Sequence, residues 1–440
     1  MFRKVSLHCL IYLLIFAGIL GVNIDEAILF KGSYLSLIMI ALIVSPTVLL
    51  IILIQVVPFN NMIIFSYYSP SIVPVIMLLF TIKIITKRKI CFSKKWMISV
   101  LALAVLQLTT AMNFSNSIFS VFAGFSQVLF LYVSVKFVAD KHIDLLSVGS
   151  LIYIVSIVLS FFTPLLFYSA ALSLAKAKYP SMLTDLIYMY RYGGAVIEPT
   201  VYAQQVMIGI SLVLTLSIEK KITRFLAILL SVSLGFLGYL TYSRVFWIMA
   251  IVLIVLYFFY DYNYNKYLYG SKRIRIDKFI VLLLIMFTLF LAGYSLLSRS
   301  LAYRDYLNVG DYDISTGRFE IWNSYIVGFF EEPLGTLFGY GVRNVMKIGN
   351  IFSTSSPHNG FLEKLVEFGL IGLPLYLVIL RTTFAYKNIQ VKYNPRMLFA
   401  FTYLSSLLFL SIGYHDFIFV LAFLVLRPSK SDSSILLRNI

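Results

Sequence analysis

The chain has 440 residues, of which 60% are hydrophobic and 12% charged, with a mean hydropathy of +0.91. No soluble fold hides that much apolar surface, so composition excludes a string of soluble domains and points to a single all-α unit, residues 1–440, a polytopic bundle of transmembrane helices. The formal net charge of +17 suggests nucleic acid as a partner, yet its placement along the chain assigns it to membrane topology, and no nucleic acid is expected.

A bilayer core takes about 20 consecutive apolar residues as a helix. Spans are expected near 7–22, 96–112, 118–138, 146–168, 198–218, 224–241, 245–260, 279–297, 358–381, 397–413 and 415–427. Residues 24–82 are almost continuously apolar, interrupted by Ser45-Pro46-Thr47 and by the Ser-Pro-rich stretch 69–74. They are read as three helices, 27–44, 47–64 and 68–86, for about 12–14 spans in all. Two crossings before residue 83 would keep the same parity, with the remaining segment re-entrant or strongly tilted. Leu7–Val22 is followed by no small-residue cleavage site and reads as a retained span. Cys9 and Cys91 offer neither a disulfide framework nor a metal spacing, and no internal repeat is visible.

Basic residues set the orientation. Arg3 and Lys4, the run 83–95, Lys136 and Lys141, Lys220, Lys221 and Arg224, the run 266–278, Arg381–Arg396 and Arg427–Arg438 all fall on one side by simple alternation. That side is the cytoplasm, so both termini are expected there, and most of the 36 Lys and Arg with them. Two longer connections then lie outside, 169–197 and 298–357. The second is long for a helical bundle, and such loops are usually functional. It is expected to hold short helices. Its run Gly317–Phe330 would put Phe319, Trp322, Ile326, Phe329 and Phe330 on one face, as suits a helix in the membrane interface.

Arginines in the depleted external loops call for a reason. Arg191 stands before a span, Arg244 in a tight turn, and Arg318 in the large loop. A guanidinium stays charged and matches phosphate oxygens bidentately, so three converging at one leaflet would hold a pyrophosphate. Singly, each could equally bind a lipid headgroup or snorkel. Ser355 or Ser356 can cap the helix that follows, with Pro357 in its first turn and His358 at its N-terminus. The positive end of the helix dipole keeps that imidazole neutral, as a general base requires, although His358 could also serve as a cap or anchor. Glu363 and Glu367 share a face further into the span, where acids are costly and usually meet a wet cavity; pairing of Lys364 with Glu367 is the structural alternative. Asp311 and Asp313 form an Asp-x-Asp pair without an evident third ligand, so no metal is assigned.

Several stretches, in order, resemble the O-antigen polymerase and O-antigen ligase superfamily of bacterial envelope glycan assembly. They are 191–204 with Arg191 and Glu198, Tyr242-Ser243-Arg244, Gly317–Trp322, Pro333–Asn344 and His358–Leu373. Two departures from the family pattern are Thr200, where an Asn is usual, and Val245, where a Gly often follows the arginine. The resemblance implies a multi-pass protein of the bacterial cytoplasmic membrane that transfers glycan from undecaprenyl pyrophosphate on the outer face, with no metal and no cofactor. A hydroxyl of the acceptor attacks the anomeric carbon and the lipid pyrophosphate leaves. His358, Arg318 and Arg244 are then the expected catalytic residues, and Arg191, Glu198, Trp322, Asn359, Glu363 and Glu367 the expected substrate-binding ones. Implied partners are the undecaprenyl-pyrophosphate-linked oligosaccharide, membrane lipids, and the flippase and chain-length regulator proteins of such systems.

A polymerase would transfer the glycan to another lipid-linked repeat, and a ligase to lipid A core or protein. The resemblance covers about the C-terminal half, and residues 1–145 match in hydropathy alone. The polymerase is favoured because polymerases vary enormously with each glycan structure and most such chains belong to that class. A lipid-linked oligosaccharide flippase is the alternative from another class, but it would carry charge pairs within its spans and internal pseudosymmetry. A membrane acyltransferase would need its histidine deep in a span. The topology has a direct check. In a background lacking Cys9 and Cys91, Asn308→Cys should react with a membrane-impermeant thiol reagent in intact cells and Tyr386→Cys should not. The reverse pattern overturns the orientation.

Overall fold

The computed structural model describes residues 2–60, 62–65, 71–87, 90–113, 118–141, 144–170, 193–196, 198–241, 243–269, 318–342, 359–384 and 394–407. The fold is an all-α polytopic bundle. Its helices are α1 (Phe2–Asn23), α2 (Ala27–Ile43), α3 (Pro46–Val56), α4 (Ile72–Lys87), α5 (Lys94–Asn113), α6 (Ile118–Lys141) and α7 (Leu146–Leu166). There follow α8 (Pro199–Ile218), α9 (Arg224–Tyr239), α10 (Arg244–Tyr269), α11 (Arg318–Glu331), α12 (Pro333–Phe338), α13 (Gly360–Phe384) and α14 (Met397–Ser406). Among the described residues, seven helices are long and apolar enough to cross a membrane. The spans expected at 279–297 and 415–427 lie outside the described residues.

α8 is the axle of the bundle. Its apolar window is 94% buried, whereas α1 and α10 bury about a third of theirs. Around it pack α7, α9, α10 and α14. Outer helices instead present large apolar side chains outward, such as Ile98 and Leu101 on α5 and Phe225 and Ile228 on α9, as lipid contact requires. A second, smaller core joins α5, α6 and α13 through Trp96, Leu103, Tyr132, Phe368 and Ile379.

The segment 24–82 departs from expectation in its middle helix. α3 ends at Val56 rather than at 64, and 11 residues at about 1.5 Å each fall well short of a bilayer core of about 30 Å. Pro58 accounts for the stop, because it lacks an N–H and its ring crowds the preceding turn. The chain passes into a short 3-10 turn, Val57–Phe59, and Asn60, Met62 and Ile63 beyond it are buried. Irregular backbone at that depth needs partners. Ser160 on α7 donates to the Pro58 carbonyl at 3.3 Å, and the Asn60 side chain accepts from the Val73 N–H at 3.3 Å. At the foot of α2, Lys83 Nζ donates to the carbonyls of Ala41 and Val44, both at 2.7 Å.

Three of the loops expected to share a side do share one end of the bundle. Arg396, 1% exposed, donates Nε to Glu219 Oε1 at 2.7 Å and lies 3.4 Å from Asp144; Lys221 pairs with the same two acids at 3.1 and 2.8 Å. This ionic end fastens the feet of α7, α8 and α14 together. Burial pushes the Asp144 carboxyl up, but Arg396 and Lys221 outweigh that effect and hold it below its ordinary value of 3.8. A depressed folded value means that the contribution is complete above the ordinary value and is lost as pH falls through the lower folded one. The thermal stability of purified protein in detergent should therefore fall on acidification below about pH 4. Arg396→Met should lower stability at neutral pH by less than the about 3–5 kcal/mol of a fully stranded buried charge, since Lys221 stays with both acids, and should flatten the acid limb.

Candidate active site

Broken helix α13 organises the candidate site. Gly369 within it has φ 67° and ψ −178°, a conformation in practice reserved for glycine, so the helix runs as two pieces. The break strands the last carbonyls of the first piece, which need partners in an apolar surrounding. The turn after α12 supplies them. Tyr340 N–H donates to the Val366 carbonyl at 2.9 Å and Gly341 N–H to that of Glu367 at 3.1 Å. Gln107, fully buried on α5, completes the lock: its Nε2 donates to the Glu367 carbonyl at 3.2 Å and its Oε1 accepts from Val342 N–H at 2.9 Å. Gly339, at φ 84°, lies so close that any Cβ would overlap the Glu367 carbonyl. Val342 then inserts against Gly124 of α6 and joins the core of α5, α6 and α13.

The loop helices ride on this anchor. Tyr340 donates its hydroxyl to the Gly328 carbonyl at 3.1 Å, and Tyr325, Phe329, Tyr340 and Val366 form one buried cluster. Phe329 therefore turns inward, against the expectation that it shares the exposed face. That face holds Phe319, Ile326 and Phe330, with Trp322 half-buried and edge-on to Phe319 at 5.5 Å. Burial pushes the Tyr325 phenol up to about 12, and the nearby Glu363 charge adds to the shift. Burial and the charges of Glu332 and Glu331 raise Tyr340 in the same direction.

α13 starts at Gly360, later than the sequence suggested, because Asn359 is the cap. Its Oδ1 accepts from the N–H groups of Phe361 and Leu362 at 3.0 and 3.1 Å. Gly360 N–H donates to the Leu407 carbonyl at 2.7 Å, tying this start to the end of α14 opposite the ionic end. Glu363 is 6% exposed on the first piece. Glu367, 0% exposed, is engaged by Lys364 Nζ at 2.7 Å. Glu198 precedes α8 in extended conformation without capping it. Arg244 and Arg318 are the first residues of α10 and α11, and their side chains lie outside what the structure describes. Arg191, His358, Ser355, Ser356, Asp311 and Asp313 lie outside the described residues altogether, as do most of the expected loops 169–197 and 298–357.

A family model described as O-antigen ligase matches residues 226–377. The match supports the O-antigen polymerase and ligase superfamily. Members of that family are glycosyltransferase-like enzymes of the inner membrane. A comparison with curated proteins finds no match. The matched region runs from α9 through most of α13, so it takes in Arg244, Arg318, Trp322, His358, Asn359, Glu363 and Glu367 together with the whole anchor apart from Gln107. Sequence reasoning passed over Gln107. The available signal was an amide inside an apolar span, which needs a partner wherever it is buried.

The anchor predicts a local effect. Gln107→Leu removes two hydrogen bonds, about 1 kcal/mol each, and Gly339→Ala cannot keep its contact with Glu367. Both should speed amide exchange at Tyr340, Gly341 and Val342 by roughly tenfold or more, read by mass spectrometry in detergent, and leave α8 protected.

Proposed function

We propose that this protein is a polymerase of surface polysaccharide, moving glycan from undecaprenyl pyrophosphate to the sugar end of another lipid-linked repeat. The observation that carries the reading is the way α13 gathers the family's elements. Tyr340 links the Gly328 and Val366 carbonyls, and Tyr325 and Phe329 pack with Val366, so α11 rests on the first piece of α13. In this reading Arg318, at the start of α11, works beside the Asn359 cap, next in the chain to His358. The start of α13 is in turn bonded to α14, against which α10 packs, and α10 begins with Arg244.

In the proposed reaction the acceptor hydroxyl gives its proton to neutral His358 as its oxygen bonds to the anomeric carbon. The bond from that carbon to the pyrophosphate oxygen breaks, and the electron pair leaves with the lipid pyrophosphate. Arg191, Arg244 and Arg318 offset the charge that grows there. Glu198, Trp322, Asn359 and Glu363 are proposed to border the sugar, Asn359 acting through the cap that orients residue 358. Glu367, held by Lys364, would position the broken helix. The description of the matched family favours a second reading, transfer to lipid A core or protein by a ligase.

Deleting the gene separates the two readings on a gel of surface polysaccharide. A single repeat on lipid A core indicates polymerase, and full-length chains left on undecaprenyl pyrophosphate indicate ligase. For the chemistry, His358→Gln keeps a hydrogen-bonding group but cannot take a proton. Purified His358→Gln should lose about 10²–10⁴-fold in rate at unchanged abundance, and should lack the wild type's rise in rate as the imidazole deprotonates. Near-normal rates in this variant would remove the base from the mechanism.

A further inference from the structure

A second group of polar atoms lies at the end of the bundle where α13 begins. Gln204, Gln205 and Ser243 are each 1% exposed, and Gln204 Oε1, Gln205 Oε1, Ser243 Oγ and the buried Nε1 of Trp247 have no hydrogen-bond partner among the described residues. Contacts fix their level. α8 and α9 run antiparallel with Gly209 against Leu234, so one turn on, Gln205 comes level with Gly238. Phe246 fills the space at Gly238, which puts Ser243 and Trp247 in the same layer. Gln204 is tied to α14 by Nε2 donating to Ser406 Oγ at 2.5 Å, and the carbonyl of the next residue, Leu407 at the C-cap of α14, accepts from Gly360 N–H. The layer therefore sits directly beside the start of α13.

Leaving a buried polar atom without a partner costs about 1–3 kcal/mol, and buried polar atoms are rarely left so. Here three acceptors and a donor, the serine able to act either way, share one level of the bundle, where apolar side chains would pack without penalty. A ligand that satisfies them carries several hydroxyls, each both donor and acceptor, and an aliphatic face for the indole. We propose that Gln204, Gln205, Ser243 and Trp247 form a subsite for one sugar residue of the glycan. This rests on the glycan-transfer reading above and adds to it the residues that would hold the sugar. The sugar belongs either to the donor or to the acceptor, and both present the same chemistry.

Gln205→Leu separates this role from a structural one, because removing an unsatisfied amide in favour of an apolar side chain of similar size should leave the melting temperature unchanged or raise it. In purified protein with lipid-linked repeats, Gln205→Leu and Ser243→Ala should each raise a KM by roughly five- to tenfold with little change in kcat. Ser231→Ala, which removes another buried unpartnered hydroxyl elsewhere on α9, should leave KM unchanged. A rise seen when donor is varied at fixed acceptor assigns the sugar to the donor, and the converse assigns it to the acceptor. Unchanged KM in both layer variants overturns the subsite while leaving glycan transfer standing. A marked loss of stability in Gln205→Leu also overturns it, since the amide would then have a partner within the fold. Should wild type make no product, the transfer reading fails by itself. Binding of the free repeat oligosaccharide, followed by tryptophan fluorescence, then decides the subsite, and no binding overturns it.

Discussion

Backbone carbonyls exposed at the break in α13 must find donors where neither water nor lipid offers any. Gly369 makes the break, and the Val366 and Glu367 carbonyls are the groups it strands. Tyr340, Gly341 and Gln107 answer them, and in doing so pin a loop to the bundle at a fixed height. From that contact follow the insertion of Val342 between α5, α6 and α13 and the burial of Tyr325 and Phe329 against Val366. A glycine-rich turn is needed because backbone meets backbone there, with no room for a Cβ on Gly339 or Gly369.

The rest of the bundle separates its polar groups into levels. Arg396, Glu219, Lys221 and Asp144 close one end with mutually satisfied charges. Toward the other end the polar groups include neutral amides, hydroxyls and an indole, several without partners among the described residues. Charges that are paired stabilise a junction, whereas neutral groups left unpaired beside the start of α13 suit a ligand rich in hydroxyls. The buried ion pair Lys364–Glu367 lies between these ends and fastens the first piece of the broken helix on itself.

Where the sequence reading and the fold part company, the reason lies in side-chain partners distant along the chain. α3 was expected to run to 64, since hydropathy continues unbroken past Pro58; the proline stops the helix, and the irregular backbone that follows is tolerated because Ser160, about a hundred residues away, satisfies the Pro58 carbonyl. Ser355 or Ser356 was the expected cap of α13, yet Asn359 fills the role because the helix begins where Leu407 can receive the Gly360 N–H. Phe329 looked like part of an interfacial face and instead faces Val366. No local pattern carries that information.

What the sequence by itself determined is the class and the plan: a membrane bundle, the alternation of its basic loops, the long loop with short helices, and the ordered stretches that resemble the polymerase and ligase superfamily. Those features depend on composition and on periodicity along one segment at a time, which hydropathy and charge report directly. Only the tertiary structure decided that Gln107 locks the loop to α13, that Glu367 is held by Lys364, and that Gln205, Ser243 and Trp247 share a level. Each of these depends on which helices meet and in what register, and a buried polar atom is satisfied or left open by neighbours that its own segment does not contain.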